Sequence, residues 1–578
     1  MNHRSLLPGL LSSTMTLAVV GLLSPSASAA TKTWNGNAAP DAHWSVAANW
    51  NAAVSGGDTL IFSGLTNLSA VNDFTPGTSF GGLTFDAGAG AFTLSGNQIT
   101  LGGNIINNST ATQTVGIDMI LSAARTVTTA AGATTILAGV VSGENQLTAS
   151  GSGTLVLSNA NTFSGRLNVS GLVRLDHSRA AQNTILSLQS VSGSVAFGTG
   201  IADFYVSGLR SNQALLLENT AGEGINLIIQ RSGAGTDGFV GGVSGKGSVT
   251  ISLDPDGLQT IGSKAWTHTG GTIINSGILR MGAGIQNNAL PNGGALRMDG
   301  GTLQFARGNT QTQTIGALTG SGGVIEALAD TPATLTVQSG TWAGSIRNGE
   351  ATIKLVKSGP GSLVLEGEHT YTGTTTVEAG KLIINGSLGA TAVTVNAGAT
   401  FGGKGAVGGT LNVSGILSPG DGIGTLTASQ NVTLQNNAAF AVDLQSAGYG
   451  QLAVKGIFSL GANNNLQLSL DYVPTASTQF TIALVDGTGS DHTTGVFSML
   501  NGVATDLSQG ARFFLNEIEF EISYRAEGGT FDMGEGLGNN IMIQVVPEPR
   551  FFALLPIAFL AYAWRTRRFG VKVTRAIA

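Results

Sequence analysis

Gly359-Pro-Gly-Ser-Leu-Val-Leu-Glu-Gly-Glu-His-Thr-Tyr-Thr-Gly-Thr-Thr-Thr-Val-Glu-Ala-Gly-Lys-Leu-Ile-Ile384 is the stretch that decides the fold. It predicts three very short strands, Leu363–Leu365, Thr375–Val377 and Lys381–Ile384, each rich in Val, Ile, Leu or Thr and each bounded by Gly. Leu363 and Leu365 share one face, as do Leu382 and Ile384, because side chains alternate along a strand. Glycines stand in the turns around Thr370–Gly373 and Glu378–Gly380, where the chain bends sharply. A unit this short cannot bury its apolar face alone and has to stack on others of its kind.

Two looser copies lie upstream. Gly153-Thr-Leu-Val-Leu157, Asn161-Thr-Phe-Ser-Gly165 and Val169-Ser-Gly171 form one; Thr269-Gly-Gly-Thr-Ile-Ile274 and Gly277-Ile-Leu279 form the other. Gly165, Gly270 and Gly373 correspond and are spaced by about 105 and about 103 residues, too far apart for one coil. The motif resembles the autotransporter-associated β-strand repeat, roughly Gly-x-Leu-x-Leu-x-Gly-x-Asn-Thr-Tyr-Thr-Gly-x-Thr-x-Val-x-x-Gly-x-Leu. The third copy departs from it at His369, where Asn is usual. The first lacks one residue around Ser170–Gly171, and the second lacks the Leu-x-Leu strand.

The fold expectation is all-β: a long parallel β-helix over 83–470, a Trp-rich N-terminal cap over 30–82 and a small β region over 471–546. Short Thr-rich strands alternate with Gly, Asn and Ser turns, as in Leu83-Thr-Phe85, Val249-Thr-Ile-Ser252 and Val393-Thr-Val395, with no long helical periodicity. Strand boundaries within 185–232 cannot be fixed. About 18 coils of three strands, right-handed and spaced by about 4.8 Å, make a body roughly 85 Å long. An antiparallel sandwich series is the competing arrangement, and the Asn385-Gly386 pair is compatible with it.

Composition agrees. The 578 residues include 86 Gly and only 10% charged residues, with 42% hydrophobic, whereas ordinary domains carry about 7% Gly and about 25% charge. There is no Cys, so no disulfide framework, thiolate metal site or Cys nucleophile. Neither the first 29 nor the last 29 positions hold an acid, while Arg4 and six C-terminal basic residues lie there; the body keeps 20 basic against 33 acidic residues. An acidic body excludes nucleic acid, whose binding needs clustered Lys and Arg.

The ends read as targeting segments. Arg4, the apolar run Leu17–Leu23 and Ala27-Ser28-Ala29 make a secretory signal peptide over 1–29, cleaved after Ala29 by the export machinery. At the other end come Pro547-Glu548-Pro549, the apolar run Phe551–Trp564 and the cluster Arg565, Arg567 and Arg568. This order resembles a PEP-CTERM sorting signal over 547–578, which implies an exosortase-like membrane enzyme as partner. The apolar run is expected to form a transmembrane helix. It spans about 21 Å against a hydrocarbon core of about 30 Å, so flanking residues must snorkel or be drawn in. The arginines hold its end in the cytoplasm. A plain membrane anchor is the alternative.

Chemistry is sparse. His3, His43, His177, His268, His369 and His492 form no metal-binding spacing, and no Gly-x-Ser-x-Gly elbow occurs. Asp254-Pro-Asp256-Gly257 reads as a turn. Gly402-Gly-Lys-Gly-Ala-Val-Gly-Gly409 lacks the Gly-Lys-Ser/Thr ending of a phosphate cradle. Trp34, Trp44 and Trp50 suit either a cap over the end of the stack or a platform for sugar rings. The expectation is therefore a noncatalytic exported surface or matrix protein, without cofactor, metal or catalytic residues. The alternative is a protein that binds or degrades extracellular polysaccharide.

Overall fold

A computed structural model describes residues 29–547, apart from 190–193, 283–286, 307–310, 329–331, 487–491, 528–529 and 532–537. Its strands stack in three parallel sheets that the chain visits in turn. The first sheet begins with Thr31–Trp34, Thr59–Phe62, Gly82–Phe85 and Ile105–Asn107, paired in register through Phe62, Phe85 and Asn107. The second begins with Ser69–Asn72 and Thr93–Gly96, the third with Thr78–Phe80 and Ile99–Leu101. One turn through all three sheets takes about 22 residues, and the described chain makes roughly twenty such coils, or about 95 Å at ~4.8 Å per coil.

Parallel pairing runs across residue 83 and across residue 470, from Thr31 on Thr59 to Leu466 on Leu500. The parallel arrangement therefore holds and the sandwich does not. Asn385-Gly386 lies at a corner between Lys381–Ile384 and Ser387–Leu388, which belong to different sheets.

Each strand sends alternate side chains inward, and the inward rows form one continuous apolar core from Trp34 to Val545. Inside such a stack a side chain packs against the equivalent residues of the coils above and below. Leu363, Leu382 and Phe401 are one such row, all fully buried.

All three motif copies use this geometry in the same way. The first and last strands of each copy pair with one another in a single sheet, one coil apart: Thr154–Leu157 on Leu172–Leu175, Gly257–Ile261 on Ile278–Met281, and Ser362–Leu365 on Lys381–Ile384. The second copy thus keeps its opening strand without the Leu-x-Leu pattern. The expected strands Leu363–Leu365, Thr375–Val377 and Lys381–Ile384 are present, but they fill only two of the three sheets. The two-residue strand Glu368–His369 supplies the remaining one. The copies start on the second, first and third sheets respectively, so the motif encodes a coil and not a fixed side of the body.

Both ends of the stack are covered. At the N-terminal end, residues 35–51 fold over the exposed edge of Thr31–Trp34: Asn51 accepts the Thr33 N–H through Oδ1 at 3.0 Å and donates its own N–H to the Thr33 carbonyl at 2.9 Å. Trp34, Trp44 and Trp50 are buried against Phe62, Phe80 and one another, with Trp34 and Trp50 edge-to-face at 5.0 Å. At the far end, Arg512–Leu515, Ile518–Ala526 and Asn540–Val545 form an antiparallel ribbon, which pairs through its last strand with Gln479–Val485. Such covers block edge-to-edge association of the open sheets.

Among the described residues no helix is long and apolar enough to cross a membrane. The expected helix Phe551–Trp564, the signal segment up to Ser28, Glu548, Pro549, Arg565, Arg567 and Arg568 lie outside the described residues.

Candidate functional site

The corner residues of the motif explain its composition. Asn161 sits inside the first copy, accepting the Val141 N–H through Oδ1 at 2.8 Å and donating through Nδ2 to the Ala180 carbonyl at 2.9 Å. It therefore ties its coil to the ones on either side. His369 occupies the equivalent place, and its Nδ1 accepts the Ile346 N–H at 3.1 Å. That bond leaves the ring proton on Nε2, which is buried without a partner. Burial pushes the His369 imidazole down to about 4, so it is neutral at pH 7 and sealed from any substrate. His268, in the second copy, is likewise pushed down to about 4 by burial.

Two residues later in the pattern, Phe163 and Tyr371 fill the interior. The Tyr371 hydroxyl lies 2.6 Å from Thr375 Oγ1, which in turn meets Thr391 Oγ1 at 2.9 Å. The motif glycine follows, at a point where the chain passes directly over the backbone below. A Cβ on Gly373 would lie 2.1 Å from the Ile353 carbonyl oxygen, and Gly165 is equally constrained by Asn145.

Charges inside the stack are also used structurally. Lys357 Nζ donates to the carbonyls of Ser358, Gly359 and Ala379 at 2.7, 2.9 and 2.9 Å. Asp237 is buried against the Arg231 guanidinium, with Arg210 Nε at 3.8 Å. Asp254 accepts the Gly233 N–H, and its own carbonyl accepts the Gly257 N–H at 2.8 Å, the turn expected for Asp254–Gly257.

The surface that remains open lies where the strands Ala181–Leu188 and Asp203–Ser211 run around a corner from the third sheet into the first. On the outer face of the third sheet Tyr205, Ile228, Thr250 and Ile273 follow one another in register. Asp203, Asn226 and Ser248 flank them and are joined by side-chain hydrogen bonds of 3.2 and 2.9 Å. Arg179 lies over the Tyr205 ring at 5.1 Å and donates to Gln182 Oε1 at 3.1 Å. Beside this face runs an open groove of about 720 Å³ lined by Ser164, Gln182, Asn183, Ser207, Gln230 and Arg231. Donors, acceptors and one aromatic ring on a shallow face can hold a polar extended ligand. Sequence reading missed this face, although Arg174, Arg179, Tyr205, Arg210 and Arg231 cluster visibly in a chain poor in charge.

Among the described residues the face shows no assembled catalytic constellation. Among the described residues no three His, Asp or Glu side chains could share a metal ion. The Asp41–His43 pair, at 2.7 Å, sits exposed on the N-terminal cover. The His43 backbone N–H and ring hold the Asp41 carboxyl below its ordinary range. Ser45, two residues on, hydrogen-bonds to Asp73. The Trp-rich opening is no sugar platform, because its rings are buried. Of the expected processing residues, Ala29 is exposed just before the first strand, and Pro547 is exposed just after the last.

Comparison with known proteins finds the repeat and partial relatives. The passenger-associated-transport-repeat family matches residues 147–171, 257–281 and 355–384, the three motif copies. The adhesin BmaC autotransporter of Brucella suis biovar 1 (strain 1330) is 29% identical over 233 residues, 40% of this chain and 6% of that protein. An extracellular serine protease of Serratia marcescens is 34% identical over 116 residues, 20% of this chain and 11% of that protein. The chain thus spans only a small fraction of these relatives. The crystal structure of the Haemophilus influenzae Hap adhesin aligns over 86% of this chain and 65% of that one, with 13% identity and a TM-score of 0.23, too low to carry an argument.

Proposed function

We propose that the chain is a noncatalytic, exported protein of the cell surface or extracellular matrix, sorted through its C-terminal segment. One observation carries this reading: the buried groups His369, Lys357 and Asp237 are tied into links within or between coils, and none of the three lines an open groove. The three passenger repeats and the partial likeness to an autotransporter adhesin support export to the surface. Its partners are the export machinery, an exosortase-like enzyme acting near Pro547-Glu548-Pro549, and the membrane, through Phe551–Trp564, before processing. Brief protease treatment of intact host cells tests this. A surface protein loses the Tyr205-containing body while a cytoplasmic marker survives; protection of the body overturns the reading.

A second reading is favoured by the outer face at Tyr205. It makes the body a binder of extracellular polysaccharide, held by the ring and the neighbouring amides and hydroxyls. Binding of the purified body to a glycan panel, lost in Tyr205→Ala, supports it. Release of oligosaccharides from the same panel would instead mark an enzyme.

A further inference from the structure

We propose that Asp58 is a built receptor for the α-ammonium group of Ala30, the group that removal of the export signal creates. The proposal rests on cleavage after Ala29. In that step water adds across the Ala29–Ala30 amide: the C–N bond breaks, hydroxide joins the Ala29 carbonyl carbon, and the Ala30 nitrogen takes up protons to become an ammonium.

The geometry is already in place. The Ala30 backbone nitrogen lies 2.9 Å from Asp58 Oδ1. Asp58 is only 1% exposed, unusual for a carboxylate. Its other oxygen, Oδ2, accepts the Ser55 N–H at 2.9 Å and the Ser55 hydroxyl at 3.2 Å, and Lys32 Nζ reaches no closer than 3.9 Å. In the uncleaved chain Oδ1 receives one neutral amide. In the cleaved chain the same nitrogen, at the same place, carries a full charge and further protons. The pair would join a buried carboxylate to an ammonium at the part-buried edge of the stack, and a charge-assisted hydrogen bond is stronger than a neutral one.

The Ala30 carbonyl also accepts the Thr59 N–H at 2.8 Å, and the strand that follows pairs from Thr31 on Thr59 to Trp34 on Phe62. The new terminus therefore pins the first strand of the stack beneath its aromatic cover. Signal removal thus tightens a first coil that is already paired, by turning one neutral amide contact on Asp58 into a charged one.

The test compares two full chains, one beginning at Ala30 and one extended upstream by Gly-Ser, each with and without Asp58→Asn. Hydrogen exchange is read over 31–34 and 59–62. In the chain starting at Ala30, Asp58→Asn raises local opening about tenfold or more. In the extended chain it raises opening less than about threefold. Equal effects in both backgrounds overturn the receptor. Should Asp58→Asn fail to fold, the two unsubstituted chains still decide, since the receptor requires faster exchange in the extended one and equal exchange refutes it. Mass spectrometry of the host's mature chain tests the underlying reading separately: a start other than Ala30 refutes cleavage after Ala29, and with it Ala30 as the natural occupant.

Discussion

Leu363 lies in register on Leu382, one coil further along the chain, with both side chains fully buried in the same inward row. The sequence motif is thus a coil together with the first contact that it makes on returning. Leu363→Ala and Leu382→Ala should each cost about 2–5 kcal/mol. Because the two leucines touch the same interior space, the double variant should depart from additivity by about 0.5–3 kcal/mol. Hydrogen exchange of the coils around 355–384 measures this locally, as a solenoid can open in parts.

Gly373 passes over the Ile353 carbonyl with no room for a Cβ. Gly373→Ala should destabilise its coil by about 1–3 kcal/mol and expose the neighbouring backbone to protease. Gly398→Ala, at a positive φ of 81° but with nothing within reach of the new methyl group, separates the two causes: it strains the backbone without a clash and should cost less.

Acid should weaken the body through His369 and His268. Their folded values of about 4 lie below the ordinary 6.5, because burial disfavours the charged ring. Above pH 6.5 both rings are neutral folded or unfolded, and their contribution is fully present. As pH falls from 6.5 towards 4 the unfolded chain binds protons that the folded chain refuses, so stability declines, by up to about 3 kcal/mol per ring. His369→Asn restores the residue that Asn161 represents in the first copy, and should flatten that part of the pH profile. Denaturant midpoints between pH 4 and 7 decide it. An unchanged slope in His369→Asn would refute the assignment.

The C-terminal signal makes its own prediction. Glu548→Ala should leave the body folded while slowing its release or transfer. Replacing Arg565, Arg567 and Arg568 together should impair membrane retention before processing. Pulse-labelling of the host, followed by membrane and medium fractions, reads both effects.

Much of the body was legible because strand, turn and burial patterns coincide over three or four residues. Thr375–Val377 and Lys381–Ile384 stand where alternation and glycines put them. Glu368–His369 was not legible, since two residues carry no periodicity. The stretch 185–232 resisted reading for another reason. Asp203–Ser211 turns a corner in mid-strand, and from Val206 to Leu209 every residue is buried, which erases the alternation. The buried charges were hidden as well. Nothing in the local pattern marks Asp58 or Lys357 as interior, because beside their near neighbours each is held by a residue more than 20 positions away, Ala30 and Ala379. His369 was readable as a corner residue because its place in the motif could be compared with Asn161.

Export and sorting meet in the mature ends of the protein, which mass spectrometry reads on material recovered from the surface or medium of the native host. The mature chain should begin at Ala30, carry the whole repeat body and end before Phe551. A surface chain that still carries Phe551–Trp564 in a host that has the processing enzyme would contradict sorting and leave a plain membrane anchor. An extracellular chain that still begins at Met1 would contradict cleavage after Ala29.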